Sequence, residues 1–134
     1  MATKKPKKPS ISKLKIKLDA VYSKYIRLKY SKFGMVRCVT CGKQSHWKDM
    51  QNGHFVSRKE TILRWDDRNC HPQCCACNVF MHGNMANYAE WMLKTYGQDI
   101  ISQLNKEKQE IFKLNTNWLG EQINIYTNKI KEYE

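Results

Sequence analysis

Apolar residues recur every three or four positions from Ile11 through Leu14, Leu18, Val21, Tyr22 and Tyr25 to Leu28. That spacing gathers them on one side of an α-helix. Ser10 or Ser12 offers an N-terminal cap, and Phe33-Gly34 supplies the stop, since glycine enters the left-handed conformation that ends helices at little cost. The pattern predicts a helix over 11–34. Its other face carries Lys13, Lys17, Lys24 and Arg27. Tyr22, Tyr25 and Tyr30 read first as core residues, with base stacking as the second option.

The period changes after residue 35. Gly53-His54-Phe55-Val56 and Ile62-Leu63-Arg64-Trp65 have strand-like composition, Asp66-Asp67 fits a turn, and Pro72 argues for a loop leading into a helix that starts near Cys74. Gly83-Asn84 breaks that helix. Helical patterns resume from Met85 to Tyr96, closed by Gly97, then from Asp99 to Phe112, then from Trp118 to about Tyr133 behind a cap at Asn115 or Thr116. The last has a stripe of Leu119, Ile123, Tyr126, Ile130 and Tyr133, which either packs within the chain or meets a second copy in a homodimer. The chain thus divides into a basic arm over 1–10 with two prolines, expected to be disordered, a basic amphipathic helix over 11–34, a compact core over 35–84, and a helical region over 85–134.

Charge sharpens this division. The net charge is +12, and residues 1–32 hold eleven Lys/Arg against the single acid Asp19, a net of +10. Lys4, Lys5, Lys7 and Lys8 in the arm, with the lysines of the first helix, point to a polyanion, bound through its phosphates without sequence preference. A solubilising tail is the plainer reading of the same run. No apolar stretch approaches the roughly 18 residues of a membrane span, and no signal-peptide pattern follows the basic start. A soluble intracellular protein is expected.

All six cysteines and all four histidines lie between Cys38 and His82. Two Cys-x-x-Cys pairs, Cys38/Cys41 and Cys74/Cys77, stand thirty-two residues apart. In a reducing compartment that spacing fits one tetrahedral zinc ion held by four thiolates. Such a closed site is structural, a staple for a stretch too polar to fold on apolar burial alone. Cys70 or Cys75 could stand in for a ligand of the second pair.

The histidines and asparagines carry candidate chemistry. Phosphodiester hydrolysis needs a base for water and a cation at the leaving oxygen. A neutral imidazole can serve as the base, and an asparagine amide can orient a loop or ligate a hard cation. His54, Asn69, Asn78 and His82 occur in that order, and Asn78 and His82, four residues apart, would share a helical face. Arg58 and Arg64 could clamp phosphate. Taken singly, each of these residues is more simply structural, and only the combination is informative.

That combination resembles the HNH nuclease superfamily in its cysteine-containing form, and within it the NinG/Rap recombination proteins of lambdoid phages. The matching strings are Cys38-Val-Thr-Cys41-Gly42, Gly53-His54-Phe55, Leu63-Arg64-Trp65, Arg68-Asn69-x-His71-x-Gln73-Cys74, Cys77-Asn78, Gly83-Asn84 and Tyr88. The resemblance covers roughly residues 36–105. It implies an α+β fold: a small zinc-stapled HNH ββα-metal core flanked by N- and C-terminal helices. It further implies an endonuclease that cuts branched double-stranded DNA, such as Holliday junctions and D-loops, using Mg²⁺ or Mn²⁺ in the cytoplasm of a bacterial host. Carried over by position, His54 is the general base, Asn69 positions the His54 loop, and Asn78 is a ligand of the catalytic ion, with His82 beside it. His71 belongs to the phage string, and we include it among the catalytic candidates.

One position departs from the pattern. Many HNH enzymes place an Asp or His metal ligand directly before the base, where this chain has Gly53. Asp49, Gln51, Asn52, His71 and His82 are candidates to replace it. The departure also keeps open a second function, a zinc-containing DNA-binding module without catalysis.

Overall fold

The structure is a computed structural model and describes residues 8–134. Lys4, Lys5 and Lys7, with most of the arm over 1–10, lie outside the described residues.

Helix α1 spans Ile11–Lys29, started by the Ser10 hydroxyl accepting from the Lys13 amide at 3.2 Å. It buries Leu18, Tyr22, Tyr25, Ile26 and Leu28, on the face the periodicity marks. The helix ends several residues before the expected stop. The Ser31 hydroxyl takes the Leu28 carbonyl at 2.7 Å, and the chain reverses in a two-residue turn at Phe33-Gly34. There Lys32 and Met35 exchange both backbone hydrogen bonds, at 2.8 and 3.1 Å.

Four short strands follow in two antiparallel pairs. β1 (Met35–Arg37) pairs with β2 (Gln44–His46) around the first Cys-x-x-Cys, and β3 (Met50–His54) pairs with β4 (Cys70–Cys74). β4 runs through Pro72, where the sequence suggested a loop. Pro72 turns its carbonyl to the Val39 amide (3.0 Å), away from β3, so the ladder never asks for its missing donor. The strand expected over Ile62–Trp65 is instead a helical turn (Thr61–Leu63). Leu63 enters one core, Trp65 another, and Arg64 turns to α1. Three successive side chains with three destinations do not suit the two-sided alternation of a strand.

The helix expected from Cys74 is a single wide turn, Ala76–Phe80, in which Met81 N–H reaches back to the Ala76 carbonyl at 2.9 Å. His82, Gly83 and Asn84 are all left-handed, and this ends the turn. Helix α2 (Met85–Tyr96) stops at Gly97 as expected. α3 (Ile100–Glu107) is shorter than expected, because Phe112 leaves it to pack edge-on against Trp118, 4.8 Å between ring centres. α4 (Thr116–Lys131) is capped by Asn115, whose side chain accepts from the Trp118 amide.

α4 lies against α1. Leu119, Ile123 and Ile130 join Leu18, Tyr22, Tyr25 and Ile26 in one core, and Tyr126 packs edge-on to Tyr22 at 4.8 Å. Most of the α4 stripe is therefore used inside the chain, the first of its two readings, while Tyr133 at its end stays exposed. A second core under α2 and α3 gathers Val56, Leu63, Tyr88, Met92, Ile100 and Leu104. A third, small one surrounds Cys38, Cys74 and Cys77 with Val36 and Met50. Each fully buried aliphatic side chain contributes roughly 1.5–3 kcal/mol, so the third cluster is the least able to hold its loops by burial alone. Among the described residues no helix is long and apolar enough to cross a membrane.

Candidate functional site: a four-cysteine cluster and the His54 cleft

The sulfurs of Cys38, Cys41, Cys74 and Cys77 all lie within 4.8 Å of one another, with Cys41 and Cys74 3.7 Å apart. Four sulfurs about 2.3 Å from one tetrahedral ion stand about 3.8 Å from each other, so the cluster fits a metal such as zinc. Thr40 Oγ1 lies 3.2 Å from Cys38 Sγ, the Cys77 amide points at Cys74 Sγ, and Asn84 Nδ2 points at Cys77 Sγ. Gly42, at φ +79°, bonds the Cys38 carbonyl and closes the first knuckle. Four thiols this close cannot all ionise by themselves. At Cys38 burial is outweighed by bonds from Thr40 and backbone amides, which bring it down to about 6, whereas burial and the neighbouring thiols push Cys41 up to about 12. A bound cation removes that conflict. Cys70 is fully buried in the α1 core and Cys75 is exposed, and neither joins the cluster.

The cluster ties the 38–42 knuckle to β4 and so sets β3 and the 76–82 turn side by side. A cleft of about 480 Å³ opens there, walled by Asn52, His54, Arg58, Asn78 and His82 among others. A smaller hollow of about 290 Å³ on the α1 side shares Asn52, His54 and Arg58 and adds Asp19, Ser23 and Arg27. His54 thus stands where the two meet. Its Nε2 lies 2.8 Å from the Arg64 carbonyl, which can only accept, so Nε2 carries the proton. Nδ1 is left with its lone pair. Burial holds the imidazole below the usual histidine range, against the opposing pull of the Arg64 carbonyl and the Asp19 carboxylate. The ring is therefore neutral at pH 7.

Asn69 is fully buried and ties both ends of the loop that follows His54. Its Nδ2 donates to the Val56 and Leu63 carbonyls at 3.0 and 3.1 Å, and its Oδ1 accepts from the Val56 amide at 2.7 Å. Asn78 Nδ2 donates to Gln51 Oε1 at 2.8 Å, which leaves Asn78 Oδ1 free. His82 is exposed on the cleft wall. It does not share a regular helical face with Asn78. The left-handed backbone at His82 (φ +50°) directs it instead.

Two expected residues have other work. Arg64 is buried, with Nε on Asp19 Oδ1 (2.9 Å), Nη2 on Asp19 Oδ2, and Nη1 on the Arg58 carbonyl (3.2 Å). It is not a phosphate clamp but the tie between the His54 loop and α1. Asp19, the one acid of residues 1–32, also takes Trp65 Nε1 at 2.9 Å. That isolated acid in a basic run was the available signal for the tie. His71 is fully buried between two tyrosine hydroxyls, each 2.7 Å away, and burial pushes it down to about 3. It has no path to the cleft. Tyr88 donates to the Gly53 carbonyl (2.7 Å), so His71 Nδ1–H must donate to Tyr88, and Tyr96 must donate to His71 Nε2. This chain of bonds fixes the backbone just before His54. In Tyr88→Phe the Gly53 carbonyl loses this donor and the His71 donor is left unpaired in a dry site. A loss of about 1–3 kcal/mol is expected in urea unfolding.

The remaining basic candidates vary. Lys8, Lys13 and Lys17 are exposed, and Arg58 sits at the cleft rim. Lys24 pairs with Glu134 at 3.0 Å, and Arg27 lies over Trp47 while bonding the Ser23 and Trp47 carbonyls.

Gln73 is the residue that sequence reasoning missed. A Cβ placed on Gly53 would lie 1.9 Å from Gln73 Oε1 and under 3 Å from its Cδ and Cγ. Gln73 is fully buried and held by Nε2 to Thr40 Oγ1 and the Gly83 carbonyl. Gly53 is therefore glycine because Gln73 fills its side-chain space. Gly53→Asp should overpack this site and destabilise the chain by about 1–3 kcal/mol. A thermal melt at or above wild type would contradict the packing.

The family model described as Bacteriophage Lambda NinG protein matches residues 2–134. Among curated proteins, the chain is 30% identical over 70 residues to protein ninG of Escherichia phage 933W, covering 50% of this chain and 33% of that protein. It is 29% identical over 70 residues to protein ninG of Escherichia phage lambda, with the same coverage, and 27% identical over 73 residues to that of Salmonella phage P22, covering 52% and 34%. The matched segment thus spans about a third of the length of these relatives. No solved structure matches the chain at a significant level. With nearly its whole length matched by the family model, the chain belongs to the NinG family of phage proteins.

Proposed function

We propose that this chain is a metal-dependent endonuclease that hydrolyses phosphodiesters in branched DNA, in the manner of the HNH (ββα-metal) nucleases and the Rap recombination enzymes. The observation that carries the reading is His54: a neutral imidazole with Nε2–H spent on the Arg64 carbonyl and Nδ1 free, in a cleft shared with Asn78 and His82. β3, β4 and the 76–80 turn follow the strand, strand, helix order of that superfamily.

In this mechanism His54 Nδ1 takes a proton from water, the hydroxide oxygen bonds to phosphorus, and the bond to the 3′-oxygen breaks with its electron pair leaving on that oxygen. Asn69 holds the loop that carries the Arg64 carbonyl, and so keeps the imidazole tautomer fixed. Gln51 holds Asn78 by its Nδ2, which leaves Oδ1 for a ligand. A divalent ion on Asn78 Oδ1 and His82 would hold the scissile phosphate and stabilise the leaving oxygen. Asn52 Oδ1, buried without a hydrogen-bond partner at the cleft wall, is the best-placed replacement for the ligand lacking at Gly53. His71 is excluded by burial.

Among the described residues no carboxylate lines the cleft. Imidazole and neutral amide oxygens suit Mn²⁺ better than Mg²⁺. Cleavage of a labelled four-way junction is expected to be faster in Mn²⁺ than in Mg²⁺ at equal concentration. Lys8, Lys13, Lys17 and Arg58 would grip phosphates, so branched and linear DNA are told apart by shape rather than by base contacts.

The lack of a carboxylate also favours a second reading, a zinc-containing DNA-binding module without catalysis. A junction incubated with Mn²⁺ separates the two. Strand scission that chelation stops supports the nuclease, and tight junction binding without scission in any divalent ion supports the module.

A further inference from the structure

A further hollow lies on neither wall of the His54 cleft. It is a groove of about 760 Å³ between the end of α1, the β1–β2 hairpin and α2. Tyr30, Phe33 and Trp91 line it together with Lys32 and Arg37, and Cys38 and Cys41 of the four-cysteine cluster border it. Among the described residues it contains no Asp or Glu.

Phe33 is the unusual part. It is 95% exposed, although it is a large aromatic side chain. It also occupies the first central position of the Lys32–Met35 turn with φ +53°, next to Gly34 at φ +77°. Tight two-residue turns need left-handed residues there, and asparagine or glycine fills the position with least strain. A phenylalanine in that conformation is strained, and its ring gains no burial in return. Lys32 Nζ lies 6.0 Å from the ring centre, and Arg37 Nη1 is held by the Gly42 carbonyl at 3.2 Å. The groove therefore sets one exposed aromatic ring, Phe33, beside two cationic side chains and the half-buried rings of Tyr30 and Trp91; the negative charge among its described lining residues comes from the Cys38 and Cys41 thiolates of the cluster and not from a carboxylate.

Surfaces of that composition hold single-stranded nucleic acid: bases stack on the rings while cations follow the phosphates. We propose that this groove binds unpaired nucleotides of single-stranded DNA, with Phe33 as the stacking platform and Lys32 and Arg37 on the backbone. The proposal rests on the nucleic-acid reading above and adds to it a second contact surface, lined by none of the His54 cleft residues. It would let the protein hold a frayed or displaced strand while duplex arms lie at the cleft.

Phe33→Asn tests it, because asparagine relieves the turn while removing the ring. Binding of a fluorescent thymidine oligonucleotide and of a blunt duplex would be measured by anisotropy with the full chain, alongside thermal melts. The groove predicts about tenfold weaker oligonucleotide binding, unchanged duplex binding, and a melting temperature equal to or above wild type. Arg37→Gln should weaken the oligonucleotide and flatten its salt dependence. Undiminished oligonucleotide binding in Phe33→Asn would overturn the proposal while leaving the nuclease reading intact. Wild-type protein that binds neither DNA would overturn both. If the oligonucleotide is indifferent to the change but a concentration-dependent dimer is lost, the groove belongs to a second copy of the chain.

Discussion

His54→Ala is expected to slow junction cleavage by about 10²- to 10⁴-fold, the usual contribution of a positioned general base, while junction binding stays within a few-fold of wild type. The loss cannot come from unfolding. Truncation leaves the Arg64 carbonyl short of one hydrogen bond, which costs about 1 kcal/mol. That is small beside the 5–15 kcal/mol by which domains are usually stable. The pH profile gives the same test a second readout. Burial lowers the His54 pKa, and in the proposed mechanism the deprotonated form is the one that takes the proton. The wild-type rate should therefore be level near pH 7 and fall only in acid, below the usual histidine value of about 6.5. A residual rate in His54→Ala should lack that inflection. An unaltered rate in the mutant would remove His54 from the mechanism.

The other large effect concerns the cysteines. Cys41→Ala or Cys74→Ala should abolish stoichiometric zinc and the cooperative melting of residues 35–84. Structural zinc contributes about 10–16 kcal/mol of apparent binding energy in zinc-finger peptides, as much as a whole domain's stability. Only five buried residues, three of them thiol ligands, form the core at this point, so little remains when the ion is lost. Cys75→Ser is the matched control: the residue is exposed, stands next to Cys74, and lies outside the cluster. Its zinc content and melting curve should equal wild type. Equal curves for Cys41→Ala would mean that apolar packing, not metal, holds the knuckle to β4.

What was legible in the sequence follows from the range of the interactions involved. The Cys-x-x-Cys pairs, the α1 and α4 stripes and the Gly97 stop are local patterns, and the structure keeps them. Pro72 misled because a proline rules out a strand only where its amide side is needed, and here that side faces Val39. His82 misled in a different way. The i and i+4 rule assumes a regular helix, and a wide turn followed by three left-handed residues replaces it. Arg64 looked free because its partner, Asp19, is forty-five residues away. The Gly53–Gln73 packing is set by strand register, Gln73 lying two pairs along from Gly53 opposite His71, and no pattern along the chain announces it.

Anomalous diffraction from a crystal soaked in Mn²⁺ tests the centre of this account. One peak, with a zinc edge, should lie among Cys38, Cys41, Cys74 and Cys77, and a second, with a manganese edge, should lie between Asn78 and His82 on the side facing His54 Nδ1. Manganese bound elsewhere, or His54 turned away from a filled Asn78 site, would contradict it.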